Sequence, residues 1–196
     1  LSALNYFTNL ESLDFQIDYT DDYELNFENC MPMNKLKVLY FYIFNTGINE
    51  SAKNPSNSIV DLGNLSAPNL EEIHVDASQL RGLSAIGNNP HMTSFEFYGN
   101  AQSMNTELNS VAELGNLPAL ENFGLAVCPN LESLNGVTFS DKLENVSIGS
   151  CHSLKDISAI KAMNPEKGHV KIWNSDLLDT VELDAGTGLK EFLDKL

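Results

Sequence analysis

Apolar residues recur along this chain in short triplets, with the second position three residues after the first and the third two residues further on. The clearest copy lies in LENVSIGSCHSLKDIS, residues 143–158, where Leu143, Val146 and Ile148 fill the three positions. The last two positions alternate with residues that are mostly polar, which is typical of a strand with one buried face. The other triplets are Leu10, Leu13, Phe15; Leu36, Leu39, Phe41; Leu70, Ile73, Val75; Met92, Phe95, Phe97; Leu120, Phe123, Leu125; and a weaker copy with Val170 and Ile172.

The triplets are spaced like the units of one repeat. Their central positions, 13, 39, 73, 95, 123, 146 and 170, advance by 26, 34, 22, 28, 23 and 24 residues. Spacing and pattern together resemble the leucine-rich repeat family, whose core is LxxLxLxx(N/C)xL and whose units run about 20–29 residues. The resemblance covers essentially the whole chain, although Leu131, Leu154 and Leu178 follow the Cys or Ser by three residues rather than two. The one long step contains NTGINESAKNPSNS, residues 45–58, which we interpret as a loop insertion on the convex or edge side.

The segments between the strands carry apolar residues at steps of three, which favour 3-10 turns or a short helix with one inward face. Val111, Leu114 and Leu117 show this spacing, and a proline, as at Pro118, precedes the next strand. The expected fold class is therefore α/β. The resemblance implies a right-handed leucine-rich repeat solenoid, with a parallel concave sheet and a convex side of 3-10 turns and short helices. We expect one such domain over residues 1–196, of about seven units.

The two ends of the chain differ in their pattern. Leu1, Leu4 and Phe7 already fill inward positions of a half-unit, so we expect the natural protein to continue upstream. At the other end, one helical face is predicted to cap the last coil, formed by Leu189, Phe192, Leu193 and Leu196.

Cys128 and Cys151 occupy the position three residues after the last strand residue of the triplet. Asp18, Phe44, Ser78, Asn100 and Ser175 fill the same position in other units. A small polar side chain there is expected to bond the turning backbone. Metal binding by both cysteines and the neighbouring His152, or a disulfide, is the alternative, but tetrahedral zinc needs three or four ligands and only His152 offers itself as a third. We therefore predict no metal and no cofactor.

The composition of the chain excludes several classes of binding partner. A net charge of −16 argues against nucleic acid and anionic membranes as partners, and it favours a basic protein partner. No apolar run approaches the roughly 18–20 residues that span a bilayer, and no catalytic motif is present. The acidic stretch DYTDDYELNFE, residues 18–28, lacks the spacing of a calcium loop, and we interpret it as a solvated edge.

Residues that alternate with the buried strand positions should line the concave face. Aromatic and charged side chains concentrate there, and they are our predicted protein-binding residues; strand propensity alone is the alternative explanation for the YFYIF segment. These residues are Tyr40, Tyr42, His74, Asp76, Glu96, Tyr98, Lys171 and Trp173.

The predicted function is a noncatalytic protein-binding module. Irregular units and Asn-rich turns resemble the leucine-rich proteins of Bacteroidetes-type bacteria, which implies adhesion or host contact at an extracellular or cell-surface location. An intracellular adaptor or scaffold of the F-box type, in the cytoplasm, is the alternative that free thiols favour. A third interpretation is an accessory domain of an enzyme whose catalytic part lies elsewhere.

Overall fold

The computed structural model of the protein describes residues 1–18, 23–44, 58–99, 108–175 and 180–196. Most of its regular structure is β. The strands are β1 (Ser12–Asp18), β2 (Tyr23–Asn26), β3 (Val38–Phe44), β4 (Ser58–Asp61), β5 (Glu72–Ala77), β6 (Gln79–Arg81), β7 (Ser94–Gly99), β8 (Asn122–Ala126), β9 (Asn145–Gly149), β10 (His169–Trp173) and β11 (Val181–Leu183). Short 3-10 helices span Ser2–Tyr6, Leu83–Ile86, Ala112–Leu114 and Ser158–Ala162, and one α-helix, α1, spans Thr187–Lys195.

A single large sheet contains all seven strands that the triplets predict. Its order is β1-β3-β5-β7-β8-β9-β10-β11, and each pair is parallel except the last. The α/β class and the mainly parallel sheet are therefore confirmed. The strands of this sheet are arranged in the order in which they occur along the chain, and the strands missing from that order, β2, β4 and β6, form a second sheet. This arrangement is compatible with a solenoid.

The register places equivalent apolar residues side by side. Ile73 pairs with Phe95, Phe95 with Phe123, and Phe123 with Val146, and all four side chains are buried. The rings of Phe95 and Phe123 stack at 5.9 Å between centroids. Each strand thus adds its apolar side chains to the core that the preceding strand begins. Because every strand must fill the same positions, the apolar pattern repeats regularly along the sequence.

The structure contains a second sheet, separate from the first, which the sequence analysis did not predict. It consists of the parallel strands β2, β4 and β6. The interpretation of residues 18–28 as a solvated edge is confirmed for β2, an edge strand, and for the exposed Glu24 and Glu28, but it is wrong for Leu25 and Phe27, which are buried. Residues 19–22 of this stretch lie outside the described part of the chain. Ser58, the last residue of the predicted insertion, begins β4, and residues 45–57 lie outside the described part of the chain.

Polar contacts join the three strands of this second sheet. The Arg81 guanidinium donates to Asp61 and Glu24, each at 2.9 Å. The Ser58 hydroxyl accepts a hydrogen bond from the Ser78 backbone N–H at 2.9 Å, and both residues are fully buried. Because a buried N–H without a partner destabilises the folded state, this hydrogen bond stabilises the segment between β5 and β6.

The chain turns sharply after three strands of the large sheet. Val127, Ser150 and Asn174 follow β8, β9 and β10, and each has a positive φ, of 58°, 51° and 49°. Asn tolerates this left-handed conformation, whereas a β-branched residue is strained in it. Val127 is therefore the strained copy of a turn that recurs after three successive strands.

The two ends of the large sheet differ. At the C-terminal end, β11 covers the edge of β10, and Leu189 and Leu193 of α1 are buried, as the predicted cap requires. At the other end, Leu1 and Leu4 pack against the core as predicted, but Phe7 does not point inward and is 59% exposed. Packing at that end is thus incomplete.

Candidate functional site

One face of the large sheet carries the side chains that alternate with the buried ones on its seven parallel strands. We call it the open face; it is the face that the sequence predicted to be concave. Register aligns its residues in rows across the strands: Tyr40, His74 and Glu96 lie in one row, and Tyr42, Asp76 and Tyr98 in the next. Six of the eight predicted site residues therefore lie together on β3, β5 and β7.

His74 is at the centre of this group. Its Nδ1 lies 2.8 Å from Glu96 Oε2, and its Nε2 lies 3.1 Å from Asp76 Oδ1. The imidazole side chain is only 17% exposed, whereas the two carboxylates are 33% and 29% exposed. A ring with a carboxylate on each nitrogen is held in one orientation when both nitrogens carry protons.

The surroundings of His74 favour its charged form. Burial by itself lowers the pKa of the imidazole, but hydrogen bonds and charge attraction from Asp76 and Glu96 outweigh it and raise the pKa to about 9. His74 is therefore a cation at neutral pH, surrounded by carboxylates.

Three tyrosine rings surround the His74 imidazole, with centroids 6.0 Å away for Tyr40, 5.1 Å for Tyr42 and 5.2 Å for Tyr98. The Tyr40 hydroxyl donates to Glu72 Oε2 at 2.6 Å, which is the main cause of its pKa of about 12. Burial, followed by the nearby carboxylates, raises the pKa of Tyr98 to about 12. We define these seven residues as the His74 cluster: Tyr40, Tyr42, Glu72, His74, Asp76, Glu96 and Tyr98.

Small residues on the next two strands make room for large side chains. A methyl group built on Gly124 would lie 3.0 Å from the Tyr98 hydroxyl, so this ring leans across β8. A methyl group on Gly149 would lie 2.1 Å from Trp173 Cε2, so the indole rests directly on the backbone of β9. Gly124 and Gly149 are therefore the surface on which two aromatic side chains lie.

The remaining two predicted residues, Lys171 and Trp173, are not in the His74 cluster. They lie on β10, three strands away from β7, and the Lys171 ammonium pairs with Glu182 of β11 at 3.3 Å. Trp173 shares the open face, but it belongs to a separate region near the C-terminal cap. Glu72, in contrast, is part of the cluster and was not predicted as a binding residue; its position in the alternation was the available signal.

The cysteine position is structural. Cys128 and Cys151 are fully buried, and neither forms a disulfide within the described chain. Their sulfurs donate to the carbonyls of Ala126 at 3.6 Å and Gly149 at 3.3 Å, which confirms the predicted bonding to the turning backbone. Ser175, in the equivalent position, donates to the Cys151 carbonyl at 3.2 Å. Within the described ranges, no group of three or more His, Cys, Asp or Glu residues is placed to hold a metal ion.

The His74 cluster presents aromatic faces and carboxylate oxygens on a rigid sheet. Four carboxylates, those of Asp14, Glu72, Asp76 and Glu96, lie in or beside it, against the single positive charge of His74. The described residues include no helix long and apolar enough to cross a membrane. No protein-family model, curated protein or solved structure matches the chain.

Proposed function

We propose that the chain is a leucine-rich repeat solenoid that binds another protein through the His74 cluster and catalyses no reaction. Support for the fold comes from seven parallel strands that follow chain order at near-regular spacing, with a cysteine or serine bonding the backbone after the last three. Support for the function comes from the cluster itself, which concentrates three tyrosines on three neighbouring strands. Tyrosines held rigidly on a surface bind partners at a small entropy cost.

The charge of the cluster favours a basic partner. Asp76 and Glu96 each use one oxygen on His74, and both side chains remain about one-third exposed. A Lys or Arg side chain of a partner can therefore meet a carboxylate while its alkyl or guanidinium part packs on a tyrosine ring. We adopt an extracellular or cell-surface location as part of the proposal, because the irregular units and Asn-rich turns resemble leucine-rich proteins found there.

The experiment compares capture of partner proteins by the wild-type chain and by Tyr42→Ala/Tyr98→Ala. Tyr6→Ala is the matched control, because Tyr6 is 88% exposed and lies outside the open face. A protein that the wild type captures is then purified and titrated against each variant. We expect the double variant to bind it at least about 10-fold more weakly, since central aromatic residues each contribute about 1–3 kcal/mol.

Salt dependence tests the charge of the partner separately. Affinity should fall as ionic strength rises, and Glu96→Gln should reduce that dependence. Equal affinity for the wild type and the Tyr42→Ala/Tyr98→Ala variant, with both folded by circular dichroism, would exclude the His74 cluster as the binding surface.

A further inference from the structure

Two cysteines lie side by side in the core, below the turns that follow β8 and β9. Cys128 comes two residues after Ala126, the last residue of β8, and Cys151 comes two residues after Gly149, the last residue of β9. Ala126 pairs with Gly149 in the sheet, and the Val127 N–H extends this pairing into the turn by donating to the Gly149 carbonyl at 2.9 Å. Neighbouring strands lie about 4.8 Å apart, and a disulfide joins Cα atoms that are about 4.4–6.8 Å apart. The two cysteines are therefore at a separation that a disulfide can bridge.

The two cysteine side chains also point in the same direction. Val127 and Ser150, the residues directly before them, have similar positive φ values of 58° and 51°, so the two turns share a conformation. Each sulfur bonds the carbonyl two residues earlier, at 3.6 Å for Cys128 and 3.3 Å for Cys151. Side chains that start about one strand spacing apart and run parallel need only rotation about their own bonds to bring the sulfurs together.

Contacts between successive turns occur at this position of the sequence pattern. Ser175, the equivalent residue after β10, reaches back to the preceding turn and donates to the Cys151 carbonyl at 3.2 Å. Cys151 reaches back to Cys128 in the same way. Hydrogen bonds with the Cys128 thiol and backbone lower the pKa of the Cys151 thiol, although burial acts against them. The thiolate is the form of cysteine that attacks a disulfide, so the surroundings select Cys151 as the attacking sulfur.

We propose that Cys128 and Cys151 are a redox-active pair that forms a disulfide between the two turns when a small-molecule disulfide, such as oxidised glutathione, is the oxidant. The Cys151 thiolate attacks one sulfur of the oxidant, and the other sulfur leaves as a thiolate. Cys128 then loses its proton, attacks the Cys151 sulfur of this mixed disulfide and expels the second thiolate. The protein loses two electrons and two protons, and the oxidant becomes two thiols.

Burial determines when this exchange can take place. Both cysteines are 0% exposed, so the oxidant reaches them while the chain folds or when the turns open. Cys30, the only other cysteine of the chain, lies between β2 and β3, and β3 is three strands away from β8 in the large sheet. The fold thus selects one pairing out of three. This inference does not depend on the binding function of the His74 cluster.

Refolding in glutathione buffers tests the pair. Cys30→Ser is unfolded in urea, refolded in oxidised glutathione, and then treated with an alkylating reagent in denaturant. We expect no alkylated cysteine, a mass lower by two hydrogen atoms, and a proteolytic map in which the peptides containing Cys128 and Cys151 are linked. Cys30→Ser/Cys128→Ser is the matched control and should not lose two hydrogen atoms. If Cys30→Ser fails to fold, the same map of the wild-type chain identifies the linked cysteines. Two alkylated cysteines, or two glutathione adducts, in the refolded protein would overturn the proposal.

Urea unfolding of the oxidised and the reduced protein tests whether the native turns accept the bond. Closing the loop between residues 128 and 151 restricts the unfolded chain, so we expect the folding equilibrium constant to increase roughly 30- to 1,000-fold. A higher urea midpoint measures this increase, and addition of a reducing thiol should reverse it. An oxidised protein with a lower midpoint than the reduced protein would show that the fold does not hold the two sulfurs in a bonding geometry, which contradicts the proposal.

Discussion

The protonated His74 should make the stability of the protein depend on pH. Its pKa rises from 6.5 in the unfolded chain to about 9 in the fold, because the attraction of Asp76 and Glu96 exceeds the cost of burial. A group whose pKa is higher in the folded state binds a proton more tightly there, so the proton stabilises the fold. This contribution is complete below pH 6.5 and is lost as the pH rises through about 9.

The magnitude follows from the same values. A rise in pKa from 6.5 to about 9 corresponds to about 3 kcal/mol. Solvent reaches both carboxylates, which are 29% and 33% exposed, and screening weakens such pairs. We therefore expect a loss of about 2 kcal/mol in the free energy of unfolding between pH 6.5 and pH 9.

The assay is urea unfolding of the wild type and His74→Gln at several pH values in this range. The difference between the two proteins isolates His74, because all other ionisable groups are common to both proteins and because Tyr40 and Tyr98, with pKa values of about 12, stay neutral. A nuclear magnetic resonance titration of the imidazole gives the pKa directly. If the difference in unfolding free energy stays constant between pH 6.5 and 9, the proposed charge balance around His74 is wrong.

Three further substitutions test the packing of single side chains. Gly149→Ala should displace Trp173, the only tryptophan of the chain, and shift its fluorescence emission to longer wavelength, because the new methyl would lie about 2 Å from the ring. Val127→Asn should raise the free energy of unfolding by about 1 kcal/mol by relieving a strained positive φ, seen as a higher urea midpoint at an unchanged slope. Ser58→Ala should lower it by about 1–3 kcal/mol, because the buried N–H of Ser78 loses its acceptor; the same urea titration measures this loss.

The large sheet could be predicted because the apolar positions in the sequence are the positions whose side chains are buried. Each strand of the large sheet from β3 to β10 buries at least two alternate residues, such as Val146 and Ile148, and that alternation is visible in a single sequence. The C-terminal helix was predictable for the same reason, since Leu189 and Leu193 lie one turn apart on one buried face.

The second sheet was not predictable from local pattern. Its strands are only three or four residues long, and each contains few apolar residues in a polar context, as in YELN and QLR. Strands this short form because the tertiary structure brings the backbones of β2, β4 and β6 into register, and a local sequence pattern does not record that pairing. The polar stretch around Leu25 therefore suggested solvent exposure, whereas β4 pairs with this stretch and β6 pairs with β4.

The candidate site was predicted in its composition but not in its contacts. Alternation assigned His74, Asp76 and Glu96 to one face, yet it could not show that both carboxylates bond the same imidazole. That contact depends on strand register and on side-chain direction, which insertions of different length between the strands conceal. The same limit explains why Trp173 was grouped with a cluster three strands away.

Alternation also makes the site separable from the fold. In β5 the residues of the cluster, Glu72, His74 and Asp76, are interleaved with Ile73 and Val75, which are buried in the core. Core residues fix the backbone, and the backbone fixes where the cluster residues stand. Substitutions on the open face can therefore alter binding while the core keeps the sheet intact, so that a loss of binding can be distinguished from a loss of structure.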